Sequence, residues 1–579
     1  MRVAAFITGV LMAAAYARLH QGIGFRMEMG KSFLLVNPRE ALFWISHYLL
    51  LVPGLLLVGW STAPTWGRLW SRLGNRLAGS SRETQSGRRK LKIVLLILAL
   101  VFVSWIGRAL FLLDLPITND EYTILFGAQI LLEGEVMAPD IDPDYAFSMP
   151  WIFRHDGKIG SMDFPGTILL TAFSILTGLG PWLFFFLAAA SGAALIVACD
   201  RLTPRNEGFH GARWAALFWI LSPMVTTLSF TLHSHLVSRS FVALAFALYL
   251  HSVLGGPASG RGSLLLGLGI GVAAGLGLTA RPAEVATVLL PVGLDLLYRA
   301  WRRTDRQAVP VAFAAGIGSL VGPAILIWWN LQTTGTWNVS ARVLVNDSLR
   351  DPLWPSAWER LGDNLGFNLM MLAMWFLGPL ILVLMVAALG SGRHVAKICA
   401  ASVASQLLMA LLHNSTGIRV VGPIHYSEAA VPLLVLAVLG VHQLKQVLPR
   451  LAMTGPVPGT LLGAYLVGLT IWTQIHTESL VDQALIHRAP LDAVAHLENA
   501  VVIADRPSDL WFSRPELEDV SSWVADLPHP DPYLRNPVLL AYPEADIGKL
   551  RARFPDRTFY RMTYHPEGEL VRVRPLESP

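Results

Sequence analysis

The chain is poor in cysteine and in charge. Only Cys199 and Cys399 occur in 579 residues, and no C-x-x-C spacing exists. That excludes a disulfide scaffold and indicates neither a zinc site nor a redox motif. Both thiols are expected to be small buried apolar groups. Charged residues make up 15% of the chain, against about 25% in an ordinary soluble domain. With 53% hydrophobic residues and a mean hydropathy of +0.50, a soluble enzyme and a disordered chain are excluded too. The formal charge of +5 is small for this length, and nucleic acid is not an expected partner. No solenoid-length repeat and no Gly-rich phosphate loop is evident. What is there in abundance is apolar sequence, and a polytopic membrane protein remains.

A membrane span needs about 20 mostly apolar residues. About 13 such stretches are expected, near 3–19, 42–60, 92–113, 181–199, 213–231, 236–254, 264–280, 284–299, 308–330, 367–389, 397–412, 429–445 and 459–476. A signal peptide is the alternative for the first, where Ala13-Ala14-Ala15 follows an apolar run. Lys and Arg in short loops set orientation. The segment 61–92 carries Arg68, Arg72, Arg76, Arg82, Arg88, Arg89, Lys90 and Lys92 against Glu83 alone, which places it in the cytoplasm. Counting from it, the basic loops at Arg201/Arg205, Arg261, Arg299 to Arg306, Arg393/Lys397 and Lys445/Arg450 all fall inside, and the N-terminus is cytoplasmic. The loops 114–180 and 331–366 and the tail from 477 fall outside. The count holds if 164–180, short and opened by Phe164-Pro165-Gly166, is interfacial or re-entrant rather than a crossing.

Three units follow: a transmembrane pair with a basic cytoplasmic loop (1–91), a transmembrane core with outer loop 114–180 (92–476), and a soluble tail (477–579). The tail is charged and Pro-rich. Strand-like runs at Val501-Val502-Ile503, Val538-Leu539-Leu540 and Thr558-Phe559-Tyr560, with helical patterns at 491–497 and 547–554, predict a small extracytoplasmic α/β domain. Asp505-Arg506-Pro507 reads as a turn after a strand.

The informative residues of a membrane protein are the ionisable ones at its boundary and within it. Thr118-Asn119-Asp120-Glu121-Tyr122 follows the span 92–113, and Thr118-x-x-Glu121 matches a capping box. Ile124, Leu125, Ala128, Leu131 and Leu132 continue at helical spacing, so a helix is expected to lie along the outer surface. Asp120 and Glu121 are either cap residues or carboxylates able to take a proton from an attacking hydroxyl. His233-Ser234-His235 precedes Arg239; His235 and Arg239 share a helix face. Arg239 wants an anion or a structural carboxylate. Thr279-Ala280-Arg281-Pro282 breaks a helix at the outer boundary, and Arg281 suits a phosphate or a local pair with Glu284. A loop dense in polar groups, Arg419 to Glu428, holds His425, Tyr426 and Glu428. Arg154-His155-Asp156-Gly157-Lys158 reads as a hairpin turn, with Lys158 in reach of a phosphate. All these clusters fall on the outer side, which suggests one polar site there and an anionic lipid substrate.

The order of these motifs resembles GT-C glycosyltransferases, in the bacterial branch related to protein O-mannosyltransferases and the lipid A aminoarabinose transferase. Asp120-Glu121-Tyr122 is similar to the Asp-Glu pair that opens the outer loop there. Asp163-Phe164-Pro165-Gly166, Ser234-His235, Thr279-Ala280-Arg281-Pro282, Asn330 with Thr334-Gly335, and Tyr426/Glu428/Pro432 resemble further motifs over roughly 92–445. Relatives often carry Arg before the late-loop Tyr, where this chain has Ile424-His425. The resemblance implies an inverting transfer of a sugar from a polyprenyl phosphate to an acceptor hydroxyl on an envelope glycan, lipid or protein, at the outer face of the inner membrane. It implies Asp120 as general base, with Glu121 beside it, and His235, Arg239, Arg281, Tyr426 and Glu428 as substrate-binding residues. No cofactor is expected as certain. Some members use a divalent metal; Asp120 and Glu121 are candidate ligands here, without a full ligand set. The alternative is a transporter or flippase of an anionic polyprenyl-linked lipid, which would use the same Arg and His residues as a binding path.

Overall fold

The computed structural model describes residues 1–23, 46–78, 85–143, 146–147, 151–202, 210–255, 260–303, 307–345, 372, 375–376, 380–411, 421–447, 456–505, 531–564 and 571–576. Arg419 and Val420 of the fourth polar cluster, most of 367–379, much of the loop 331–366 and the turn residues Arg506-Pro507 lie outside them.

The chain is mainly α, with two small sheets. Among the described residues seven helices are long and apolar enough to cross a membrane: Leu49–Arg68, Lys90–Phe111, Trp182–Leu202, Ser234–Leu254, Gly260–Ala280, Ala308–Thr334 and Ile424–Val447. In chain order the helices are α1 (Arg2–Ile23), α2 (Val52–Ala78), α3 (Gln85–Phe111), α4 (Asn119–Leu132), α5 (Pro165–Leu176), α6 (Trp182–Cys199), α7 (Gly211–Leu221), α8 (Pro223–Ser229), α9 (Ser234–Leu254), α10 (Gly260–Ala280), α11 (Pro282–Arg302), α12 (Ala308–Ser319), α13 (Val321–Thr334), α14 (Ala341–Val345), α15 (Leu380–Gly390), α16 (His394–Leu411), α17 (Ala430–Val447), α18 (Pro456–Val494) and α19 (Ile547–Arg553).

Helix α17 is the axis of the bundle. Every residue from Ile424 to His442 is buried, and α7, α9, α15 and α16 pack on it. Small residues let other helices approach closely, the main attraction left when lipid is as apolar as the side chains. On α10, Gly267, Gly271 and Gly275 recur every fourth residue, and a Cβ on Gly271 would stand 2.8 Å from the α12 backbone at Ala315 and Ser319. The stretch 213–231, expected as one span, is two helices. Pro223 starts α8 at its N1 position and Ser222 before it is extended, because a proline excludes the helical conformation from its predecessor. Helix α5 is short, 12 residues, and ends at Gly178 and Gly180 with positive φ.

Helix α4 begins where the capping box places it: Thr118 is extended, and its hydroxyl accepts from Glu121 N at 3.3 Å. It does not lie on a surface. Tyr122, Ile124, Phe126, Ala128 and Ile130 are buried on several sides. One side packs on Ala138 and Ile159 of a three-stranded sheet, another on Ile168 of α5 and Trp329 of α13. The sheet has order β1 (Ala138–Pro139), β3 (Lys158–Ser161), β2 (Ile152–His155). Asp156-Gly157 makes its hairpin turn, both at positive φ.

Helix α18 runs without a break from the last apolar stretch through residue 477 to Val494. A four-stranded sheet follows, in the order β5 (Val538–Ala541), β4 (Ala500–Ala504), β6 (Thr558–Tyr564), β7 (Val571–Pro575), with β4 parallel to both neighbours and β6–β7 antiparallel. Strand β7 was not among the expected strands. The sheet is seated on the segment between α4 and α5. Ala146 and Phe147 share one apolar cluster with Val501, Ile503, Leu539 and Phe559. Tyr542 N donates to Ala146 O at 2.8 Å, and Arg535 pairs with Glu133 at 2.8 Å.

Candidate functional site

Four chain breaks meet at one end of the bundle: the start of α4, the start of α9, the α10–α11 junction and the turn before α17. Each has a local cause. Glu121 ties the first two together. Its carboxylate accepts from Ile117 N at 3.0 Å and from Leu232 N at 2.9 Å, and Arg108 lies 3.7 Å away. It is fully buried, with the peptide donors of two separate segments on its two oxygens. Leu232 leads directly into His233, the N-cap of α9, so this pin sets His233 beside Asp120. At the third break, Pro282 forces Arg281 out of the helix (φ −149°, ψ 86°). Gly166, in the first turn of α5, packs against this corner; a Cβ there would stand 2.8 Å from the Thr279 carbonyl carbon.

Asp120 is the partly open member, with its side chain 16% exposed. One oxygen is 3.2 Å from His233 Nε2 and the other 3.9 Å from Arg342. His233 stacks on His235 with ring centroids 5.1 Å apart, and His425 leans against His235 at 5.5 Å. The Arg281 guanidinium contacts His235 Nε2 directly, while His235 Nδ1 faces Glu428 at 3.4 Å. Glu428 is held by Ser238 Oγ and, at 3.0 Å, by Gln406 Nε2. Glu284 stands 4.0 Å from Arg281 and 3.6 Å from His425. His233 Nδ1 and Nε of Arg281 are buried without a hydrogen-bond partner among the described residues. Buried donors and acceptors are nearly always satisfied, so such atoms mark a place where a polar ligand belongs.

Charge at the rim follows from these contacts. Burial pushes the Asp120 carboxyl up, but His233, Arg281 and Arg342 outweigh it and hold it below the usual carboxylate range. Asp163 goes the other way: burial and the Asp120 charge raise it, and Arg342 offsets them only in part. Burial lowers the Arg342 guanidinium.

Asp120, His235, Arg281 and Glu428 are thus brought together, linked through His233. Arg239, one turn further along α9, is buried with its guanidinium donating to Met224 O at 2.8 Å and Val225 O at 2.9 Å, over the Trp219 ring. Tyr426 is fully buried in the main apolar core. Lys158 is exposed on the hairpin, and Arg154 is bound to Asp140 and Asp142. Sequence reasoning did not select His233, Asp163, Glu284, His425 or Arg342 as site residues. His233, Glu284, Asp163 and His425 stood inside noted motifs without being chosen. Arg342 sits in a loop with no pattern to single it out. Among the described residues no group of three or more His, Cys, Asp or Glu is arranged to hold a metal ion. Beside Asp120 stand the guanidinium groups of Arg342 and Arg281, which have no lone pair to give a metal.

These features define a polytopic helical membrane protein with one polar, cation-lined site at one end of its bundle. No protein-family model and no curated protein matches the chain. Among solved structures it is similar to ArnT from Cupriavidus metallidurans in the apo state, at 15% identity over 82% of this chain and 93% of that chain, with a TM-score of 0.48. The same protein bound to undecaprenyl phosphate gives 12%, 81%, 93% and 0.45. The archaeal oligosaccharyltransferase AglB from Archaeoglobus fulgidus, in complex with an inhibitory peptide and a dolichol-phosphate, gives 13%, 66%, 56% and 0.33. These are likenesses of fold.

Proposed function

We propose that the protein is a GT-C-type glycosyltransferase of the inner membrane. It moves a sugar from a polyprenyl-phosphate donor to an acceptor hydroxyl on the extracytoplasmic face, where the C-terminal domain also lies. One observation carries this reading. A partly exposed, ionised carboxylate, Asp120, borders a buried group of His233, His235 and Arg281 whose nitrogens are not all satisfied among the described residues.

The chemistry follows from that pairing. Asp120 accepts the proton of the acceptor hydroxyl as its oxygen bonds to the anomeric carbon. The carbon–phosphate oxygen bond breaks on the opposite side, and the electron pair leaves with the lipid phosphate. A single displacement inverts the sugar carbon. Arg281 meets the charge that grows on the phosphate, which is where a preorganised cation is most effective. Because Asp120 is a weak base when free, its main contribution is to receive a proton already leaving in the transition state. His235 and Glu428 orient Arg281 by direct contact and through the imidazole. Glu121 and Arg239 hold the backbone that places these groups, and Tyr426 belongs to the apolar core.

The test is label transfer from polyprenyl-phosphate sugars into a membrane extract by purified protein. Transfer by the wild type and not by Asp120→Asn is expected, and the labelled product identifies the acceptor. Equal transfer by both would remove Asp120 as base. Lipid binding that survives Asp120→Asn, fails in Arg281→Ala and yields no transfer would favour a carrier of anionic polyprenyl lipids.

A further inference from the structure

Among the described residues, Arg342 is the cation that the segment after α13 brings to the site. It stands on α14, and its guanidinium reaches two carboxylates from different elements with two different nitrogens. Nη2 lies 3.9 Å from Asp120 on α4, and Nη1 lies 3.3 Å from Asp163 in the turn before α5. Phe164 lies under the guanidinium, 5.9 Å from its ring centroid to Cζ. Asp163 is 1% exposed, and its second oxygen accepts from Thr123 Oγ1 at 2.7 Å. Two carboxylates that meet one guanidinium, one of them buried, are oxygen donors of the kind a divalent cation also takes. Left alone they would repel each other; a cation between them removes that cost. A planar fork can serve both at once, which a lysine ammonium cannot do in the same geometry.

We propose that Arg342 is the resident cation of this site: it occupies the position between Asp120 and Asp163 that a divalent metal would otherwise take, so the site is built to work without one. Arg342 is then a positioning residue. It holds the Asp120 carboxylate at the partly open edge of the site and ties α14 to α4 and to the turn before α5. The inference concerns the cation position alone and stands whether or not the proposed sugar transfer is correct.

The experiment uses the full chain in nanodiscs with Mn2+ as the probe. Free Mn2+ is read by electron paramagnetic resonance, and melting temperature is read in parallel. The quantity of interest is the Mn2+ uptake that disappears when Asp163→Asn is introduced. In the wild type this uptake is expected to be zero, with no change in melting temperature. In Arg342→Ala it is expected to be about one ion per chain, with a raised melting temperature, because the vacated carboxylate pair now takes the metal. Arg342→Gln, closer in size, serves the same purpose if the alanine variant does not fold. Asp163-dependent uptake by the wild type would overturn the proposal. So would a folded Arg342→Ala or Arg342→Gln chain that takes up no Mn2+, because the two carboxylates would then not form a cation position.

Discussion

At Asp120 and Glu121, one helical turn puts two carboxylates into different surroundings. Glu121 is sealed, its oxygens taken by Ile117 N and Leu232 N, and Asp120 stands at the edge beside His233 and Arg342. Replacing Glu121 by Ala removes a buried acceptor and leaves two peptide donors and Arg108 without it. A loss of about 3–5 kcal/mol is expected, read as a lowered unfolding midpoint in detergent. Asp120→Asn is expected to insert and melt like the wild type, while kcat/KM for transfer falls by roughly 10²–10⁴. Since His233, Arg281 and Arg342 hold Asp120 below the ordinary carboxylate range, it stays ionised from pH 8 down past about 4. The acid limb of the kcat/KM profile is therefore expected below that value; a limb above pH 5 that Asp120→Asn abolishes would contradict this. The dipeptide was legible in the sequence, but the division of roles was not. It depends on Leu232, 111 residues away in the chain, reaching back to Glu121.

Among the elements, the helix breaks place the site. Ser222-Pro223, Ala280-Arg281-Pro282 and Thr118 are local signals, and each ends or starts a helix where its chemistry requires. The contacts between elements are less visible. Gly166 stood inside the Asp163-Phe164-Pro165-Gly166 motif, but only the structure shows that its missing side chain lets α5 touch the corner that presents Arg281. Gly166→Ala is expected to push α5 off this corner and reduce transfer at least tenfold, about 1.4 kcal/mol in the transition state, with little change in expression. Transfer assays with matched protein amounts check it. The expected surface helix at 119–132 is buried because the β1–β3 sheet, α5 and α13 converge on it; its apolar residues pointed to burial on one side, and only packing could show that several sides are covered.

At the scale of the whole molecule, the C-terminal sheet domain is linked to the helix that carries Asp120. Beyond the apolar stretch 459–476, α18 continues toward that sheet, and His487 on it stands against Tyr122 with ring centroids 6.3 Å apart. Leu480 and Ala484 of the same helix join Ile117 and Leu232 in one apolar cluster. Burial pushes the His487 imidazole down to about 3, so the docked form holds it neutral. An undocked imidazole takes a proton below about 6.5, and docking is expected to weaken by about 1.4 kcal/mol per pH unit as pH falls from there toward 3. Hydrogen exchange of α18 at pH 7 and pH 5 measures this, and His487→Phe is expected to flatten the difference. The sequence by itself marked the long apolar stretches, the break at Arg281-Pro282, the capping box, the Asp156-Gly157 turn and three of the four strands of the tail sheet, but not the number of spans or the break at Ser222-Pro223. The marked features are set by local sterics and by the pattern of apolar residues. Only the tertiary structure decided which charges meet. Arg239 turns to the Met224 and Val225 carbonyls, His233 stands between Asp120 and His235, and Arg342 spans Asp120 and Asp163. A charge in a weakly polar interior is placed by whatever partner the fold brings within a few ångströms, and those partners lie in segments far apart in the chain.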